Sequence, residues 1–215
     1  MAQDGGTTMV STFILTADEK RISAAIASAE KKTSGEIVAV VAAQSDSYAY
    51  VPFLWSALIA LIVPWPLIFY TWWPVQWIFL LQLIVFAALT LLLMLTGWRH
   101  RLVPMAIKQR HAHGRAVEQF LVQNLHTTAG RTGVLIFVSV AERYAEILAD
   151  KGIHSKVQPD EWQSIVDELT AAIGAHRTAD GFVAAIDRTG VLLAKHFPPG
   201  THDPNALPNH LIVLA

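Results

Sequence analysis

The 52 residues from Ser47 to Trp98 contain no Asp, Glu, Lys, Arg or His. A helix needs about 20 apolar residues to cross the roughly 30 Å hydrocarbon layer of a membrane. The run is too long for one crossing and suits two with a turn between them. Pro64, Pro66 and Pro74, with Trp72 and Trp73, mark the turn. The pattern predicts spans over 51–70 and 75–97. Both must be helical, because lipid offers their backbone N–H and C=O groups no partner outside the segment. The competing reading, a buried helical pair in a soluble protein, needs a deeper interior than a domain this small provides.

The flanks alternate between helical and strand periods. Thr16 and Glu19 are spaced as a capping box, and Ile22, Ala25, Ile26 and Ala29 follow at helical spacing. This predicts a helix over 17–33 with Gly35 as its C-terminal cap. Residues 36–43 (EIVAVVAA) form a short Val- and Ile-rich run, the signature of a strand buried on both faces. After the spans, 105–126 reads as an amphipathic helix with Ala112, Ala116, Val117, Phe120, Leu121 and Leu125 on one face. The turn 130–133 leads into a second buried strand over 134–140 and a third over 144–149, the two forming a hairpin. Pro159 opens a helix closed near Gly174. Thr178 or Asp180 caps another, which Pro198-Pro199-Gly200 stops. Residues 211–214 (LIVL) read as an edge strand.

Strands one and two enclose a helical crossover and should pair in parallel, with the third antiparallel to the second. The expected fold class is α/β: a small mixed β-sheet covered by helices and interrupted by a two-helix transmembrane hairpin. The domain division is a leader over 1–12, a discontinuous cytoplasmic domain over 13–46 and 99–215, and the hairpin over 47–98.

Composition narrows the rest. Roughly 160 residues lie outside the hairpin, enough for one compact domain. The net charge of −1 gives no sign of a nucleic-acid partner. With no Cys, disulfides, thiolate catalysis and Cys-ligated metals are excluded. Residues 1–11 lack the basic and apolar regions of a secretory signal and read as a disordered leader. Arg99, Arg101, Lys108, Arg110 and Arg115 follow the second span, and Lys31 and Lys32 precede the first. The positive-inside rule then places both termini in the cytoplasm of a bacterial inner-membrane protein. Tyr48, Tyr50 and Trp98 would form the inner aromatic belt, and Trp65, Trp72, Trp73 and Trp77 the outer one.

Several soluble segments together resemble a known family. They are Leu15-Thr16, Thr33-Ser34-Gly35-Glu36-Ile37-Val38, Gly133-Val134-Leu135-Ile136-Phe137-Val138-Ser139, Glu142-Arg143, Asp150-Lys151-Gly152-Ile153 and Gly181. The resemblance is to the TPM domain, the thylakoid-lumen acid-phosphatase-like proteins and their bacterial relatives. It implies an α/β sandwich. It also implies a role among those described for members: phosphatase, calcium binder or accessory factor of a membrane complex. Typical members carry a signal peptide and face the lumen or periplasm. The charges of this chain place its domain in the cytoplasm, and its hairpin interrupts the domain.

Candidate chemistry is sparse. Asp150, Glu36 and Asp46 stand at predicted strand ends, where α/β sheets bind ligands. Were they to meet, they could hold Ca²⁺ or Mg²⁺ through oxygen and support a metal-assisted phosphatase. The plainer reading makes Asp150 and Glu142 turn residues paired with Arg143 or Lys151. No established metal-, phosphate- or nucleophile-binding motif occurs. His111 and His113, two apart on a helix, point about 200° apart and cannot share an ion. The basic residues 99, 101, 108, 110 and 115 suit anionic headgroups at about 1 kcal/mol each. The Gly-flanked Arg131-Thr132 turn could hold a phosphate, but tight hairpin geometry is the commoner explanation of such a turn. Gln76, Gln82 and Thr90 are the hairpin's polar side chains, available for hydrogen bonds between helices. Two helices bury little surface, so other integral membrane proteins or a second copy are the expected partners. The expected function is a non-catalytic accessory or scaffold subunit; the alternative is a phosphatase or divalent-cation-binding domain.

Overall fold

The computed structural model describes residues 16–46, 48–96, 103–128, 130–199 and 209–214. The expected leader, Trp98, Arg99 and Arg101 lie outside the described residues. The chain divides into two compact units, Met1–Ser45 with Gln109–Ala215, and Asp46–Lys108.

The first unit contains helix α1 (Thr16–Glu30), strand β1 (Glu36–Ala42), and the larger part of a long helix after the second unit, α5 (Met105–Val122). It continues with β2 (Gly133–Ser139), β3 (Tyr144–Ala149), the one-turn helix α6 (Lys151–His154), α7 (Pro159–Gly174), α8 (Thr178–His196) and β4 (Leu211–Leu214). The sheet order is β3-β2-β1-β4. β1 lies parallel to β2, with Glu36 opposite Gly133, and parallel to β4 on its other side. β3 returns antiparallel to β2. The mixed sheet expected from the crossover and the hairpin is therefore present.

All seven residues of β1 and of β2 are buried, because each strand has a neighbour on both edges and helices on its faces. One face buries Ile37, Ala39, Val41, Val134, Ile136 and Val138 against residues of α1, α7 and α8 such as Ile22, Leu169 and Phe182. The other buries Val38, Val40, Leu135 and Phe137 against Ala112 and Ala116 of α5. A fully buried Val, Leu, Ile or Phe contributes about 1.5–3 kcal/mol relative to exposure, so the alternating positions of two central strands carry most of the unit's cohesion.

Three boundaries differ from expectation. α1 stops at Glu30, not residue 33, because the Thr33 hydroxyl leaves the helix path to donate to Phe197 O at 2.7 Å and accept from Gly35 N–H at 3.1 Å. Gly35 is thus not a helix cap. A Cβ there would sit 2.9 Å from Leu193 Cδ1, so its place is a close approach. α5 ends at Val122, where Asn124 takes a left-handed φ of 56° into a single 3₁₀ turn. At α8 neither Thr178 nor Asp180 caps the helix; Asp180 instead accepts from Arg21 at 2.7 Å. Pro159 does open α7, with a capping box between Gln158 and Glu161.

The second unit holds α2 (Tyr50–Ile62), α3 (Pro64–Tyr70) and α4 (Val75–Leu95). The segments Tyr50–Tyr70 and Val75–Leu95 are each long and apolar enough to cross a membrane. Only 22% and 11% of their most apolar windows are buried, which distinguishes them from core helices of a soluble domain. Large apolar side chains such as Leu61, Ile62, Phe79 and Leu83 face outward. α2 packs on α4 through a narrow set of buried residues, Val51, Pro52, Ser56 and Ala60. On α4, Ile78 and Thr90 are buried. Of the other two polar candidates, Gln82 is half-buried and Gln76 exposed.

Of the expected aromatic belt, Tyr50, Trp65, Trp72, Trp73 and Trp77 are exposed. Tyr48 is not. It is fully buried against Val51 and Val103, because its φ of 49° turns the chain inward at the start of α2.

Candidate functional site

Two ends of the β1–β2 pair gather polar groups. At the start of β1, the last residue of α1 turns back on the sheet: Glu30 Oε1 accepts from Ile37 N–H at 2.9 Å. Glu36, the first residue of the strand, is buried. The two carboxylates line a cavity of about 470 Å³, which the described residues Lys31, Ser34 and Asn209 also border. Burial pushes the Glu30 carboxyl up to about 7, and the Glu36 carboxylate adds to the effect. The Ile37 N–H and Asn209 pull the other way. A carboxyl that exchanges its proton near neutral pH, beside a second carboxylate in a cavity, is the arrangement general acid–base chemistry uses.

At the far end of the same strands, Ser139 Oγ donates to Glu142 Oε2. Ser45 donates to the same carboxylate from its backbone N–H at 3.2 Å, and to Ser139 Oγ from its hydroxyl at 2.9 Å. Glu142 and Ser139 are both buried. This cluster ties the end of β1 to the β2–β3 turn, where Arg143 holds a φ of 50°. Glu142 is a turn residue, as the plainer reading had it, but its partners are serines and not Arg143 or Lys151.

The three carboxylates expected to hold a metal do not converge. Glu36 and Asp150 flank Gly133, since Glu36 pairs with it and Asp150 N–H donates to its carbonyl at 2.9 Å. They are therefore two strand spacings apart, about 10 Å at the backbone. Asp46 follows Ser45, which is held at the opposite end of a seven-residue strand, roughly 20 Å away at strand rise. The Asp46 carboxylate accepts from Tyr48 N–H at 3.4 Å. Asp150 caps α6, its Oδ1 accepting from Lys151 N–H at 2.6 Å. A calcium or magnesium site needs several oxygens directed at one point. Among the described residues no group of three or more His, Cys, Asp or Glu meets that need.

Several of the remaining candidates have partners within the chain. Thr132 donates from its hydroxyl to Ser34 O at 3.0 Å and from its N–H to Thr128 Oγ1 at 3.1 Å, so Thr132 spends its polar groups internally. His113 Nδ1 lies 2.9 Å from Glu146 Oε1, to whose carboxylate Tyr144 also donates at 3.1 Å. Burial, with Glu146 adding, holds the Tyr144 hydroxyl above its ordinary range. On α5, Lys108 and Arg115 are seven residues apart and share a side. Arg110 points the other way, and Arg115 pairs with Glu118 at 2.7 Å.

Sequence reasoning missed Glu30. In the string Ala-Glu-Lys-Lys it looks like the solvated end of a helix. Its burial comes from β1 and from Asn209, far away in the chain. The only local hint was the shortness of the link between the last apolar residue of α1 and the first of β1.

A four-stranded mixed sheet layered between α1, α7 and α8 on one face and α5 on the other defines an α/β sandwich. The sequence model of the TPM domain matches residues 105–192, and that stretch of the chain is similar to this family. The solved NMR structure of the BA42 protein from the psychrophilic bacterium Bizionia argentinensis is similar in fold. Its TM-score is 0.60 at 22% sequence identity, over 99% of each chain. No functionally curated protein matches.

Proposed function

We propose that this is a bacterial inner-membrane protein whose hairpin anchors a cytoplasmic TPM domain serving as an accessory or scaffold subunit of a membrane assembly. The observation that carries this is the uncharged pair of helices with large apolar side chains facing outward along both. Such a surface is stable only in lipid or against other membrane helices. The basic residues after the second span favour a cytoplasmic domain, and Lys108 and Arg115, on one side of α5, suit contact with anionic headgroups. Of the carboxylates that could have formed a metal centre, Asp150 caps a helix and Asp46 holds a turn.

Because the chain has no cysteine, single-cysteine variants report topology cleanly. In intact spheroplasts a membrane-impermeant maleimide should label Trp72→Cys and spare Lys195→Cys. The reverse pattern, or release of the protein by carbonate washing, removes the membrane placement. Elution as a free monomer in every gentle detergent removes the scaffold role.

A second reading rests on Glu30. Its carboxyl near 7 beside Glu36 favours proton transfer in the cavity at the start of β1, a step that phosphate-ester hydrolysis can use. Release of phosphate from a generic ester with Mg²⁺ or Ca²⁺, lost in Glu30→Gln, would support it; equal rates in parent and variant would not.

A further inference from the structure

Three glycines lie inside long helices, and two of them mark helix crossings. In α8, a Cβ on Gly181 would sit 2.7 Å from Ala172 Cβ of α7, and one on Gly190 would sit 2.7 Å from Ala29 Cβ of α1. At both places neighbouring helices approach too closely for a side chain. The third is Gly114, in the middle of α5, where a Cβ would meet nothing within 4 Å. Glycine inside a helix costs stability relative to alanine, and the fold as described gives Gly114 no return for that cost.

The residues around Gly114 are arranged symmetrically along the helix. Arg110 stands four before it and Glu118 four after, on the same ridge; Ile107 stands seven before and Leu121 seven after. Ile107, Val117 and Leu121 are 38%, 38% and 52% exposed, on the side away from the buried Ala112, Ala116 and Gln119. A helix running antiparallel across Gly114 would set position +4 of one copy against −4 of the other, and +7 against −7. Arg110 would then face Glu118 of the second copy, whose carboxylate also holds Arg115 of its own helix, and Ile107 would face its Leu121, each pair occurring twice. A parallel partner would instead place Arg110 on Arg110 and Glu118 on Glu118. This is the self-complementary pattern that a two-fold interface requires.

We propose that the exposed face of α5 is a homodimer interface, in which α5 packs antiparallel on α5 of a second copy with Gly114 at the crossing point. The small residue lets the two backbones approach, as in other close helix pairs. The charges fix the direction, and the apolar pairs at either end close the contact.

The full-length protein in native membranes tests this by oxidative cross-linking, since any disulfide must come from an introduced cysteine. Gly114→Cys should give a covalent dimer readily, and Ala106→Cys, exposed on another side of α5, should not. In the Gly114→Cys background Arg110→Glu should lower the cross-linking rate roughly tenfold, because each change is felt twice across the axis. Adding Glu118→Arg should restore it. In parallel, Gly114→Leu should keep the folded monomer, as its surroundings are open, while shifting the mass measured in mild detergent from dimer to monomer. Equal cross-linking at Gly114→Cys and Ala106→Cys would overturn the proposal. So would indifference to charge reversal, or a dimer that survives Gly114→Leu. Cross-linking that ignores the charge swap but follows the anionic-lipid content would assign the face to the membrane surface instead.

Discussion

Glu30 holds its proton more tightly in the folded chain, at about 7, than at the ordinary 4.5 it has when exposed. The folded state therefore binds more protons between those values, and stability must fall as pH rises through them. The contribution is complete below about 4.5 and lost above about 7. Glu30→Gln keeps an acceptor for Ile37 N–H but cannot titrate. Denaturation midpoints at pH 5 and 8 should differ in the parent and converge in the variant. The glycines give a second contrast at this scale. Gly114→Ala should stabilise the fold by about 0.5–1 kcal/mol through helix propensity alone, whereas Gly190→Ala should cost about 1–3 kcal/mol by overpacking against Ala29. Thermal melts of the two variants would show opposite shifts. Neither contrast is visible in sequence, where the two glycines look alike and Glu30 looks like any charged helix end. What separates them is the neighbour brought up by the fold.

Elements were far more legible than residues. The two apolar runs became β1 and β2 within one residue of their expected limits. A strand buried on both faces needs an unbroken apolar string and little else. The β2–β3 hairpin and the helix opened by Pro159 were readable for the same local reason. Helix ends were not, because Thr33 and Asp180 exchange helix capping for bonds to Phe197 and Arg21. The one-turn α6 had no period to detect. Within the hairpin, α2 turns only small or short side chains, Pro52, Ser56 and Ala60, toward α4 at four-residue spacing. Membrane helices associate through such surfaces. Ala60→Leu should push the pair apart at about 1–3 kcal/mol, read as a lower midpoint for unfolding in mixed detergent micelles. The outward-facing Leu61→Ala should leave that midpoint unchanged.

At the scale of the whole chain, the α/β unit is assembled from two pieces that the hairpin separates. Among the described residues β1 is the only strand of the first piece, yet it is paired on both sides, to β2 and β4, which both belong to the second. Neither piece can close its sheet alone. Replacing 46–108 with a long flexible Gly/Ser linker should give a water-soluble, cooperatively folding protein, seen as a single sharp transition by circular dichroism. Expressing 1–45 and 109–215 as separate chains, each without the other, should give insoluble or unfolded material. The discontinuous domain was expected from the run of neutral residues. Its consequence for the sheet became clear only once β1 proved to be an interior strand.

That position of β1 sets a schedule for biogenesis. About 90 residues separate Ala42 from Gly133, so at translation rates of roughly 5–20 residues per second, β1 emerges on the order of 5–20 seconds before its first partner. Throughout that interval a Val-rich segment with two open edges is available to any other nascent strand. On the proposed membrane placement, insertion of the hairpin falls inside the same window. A chain arrested between the two events would carry the complete hairpin but could not complete its sheet.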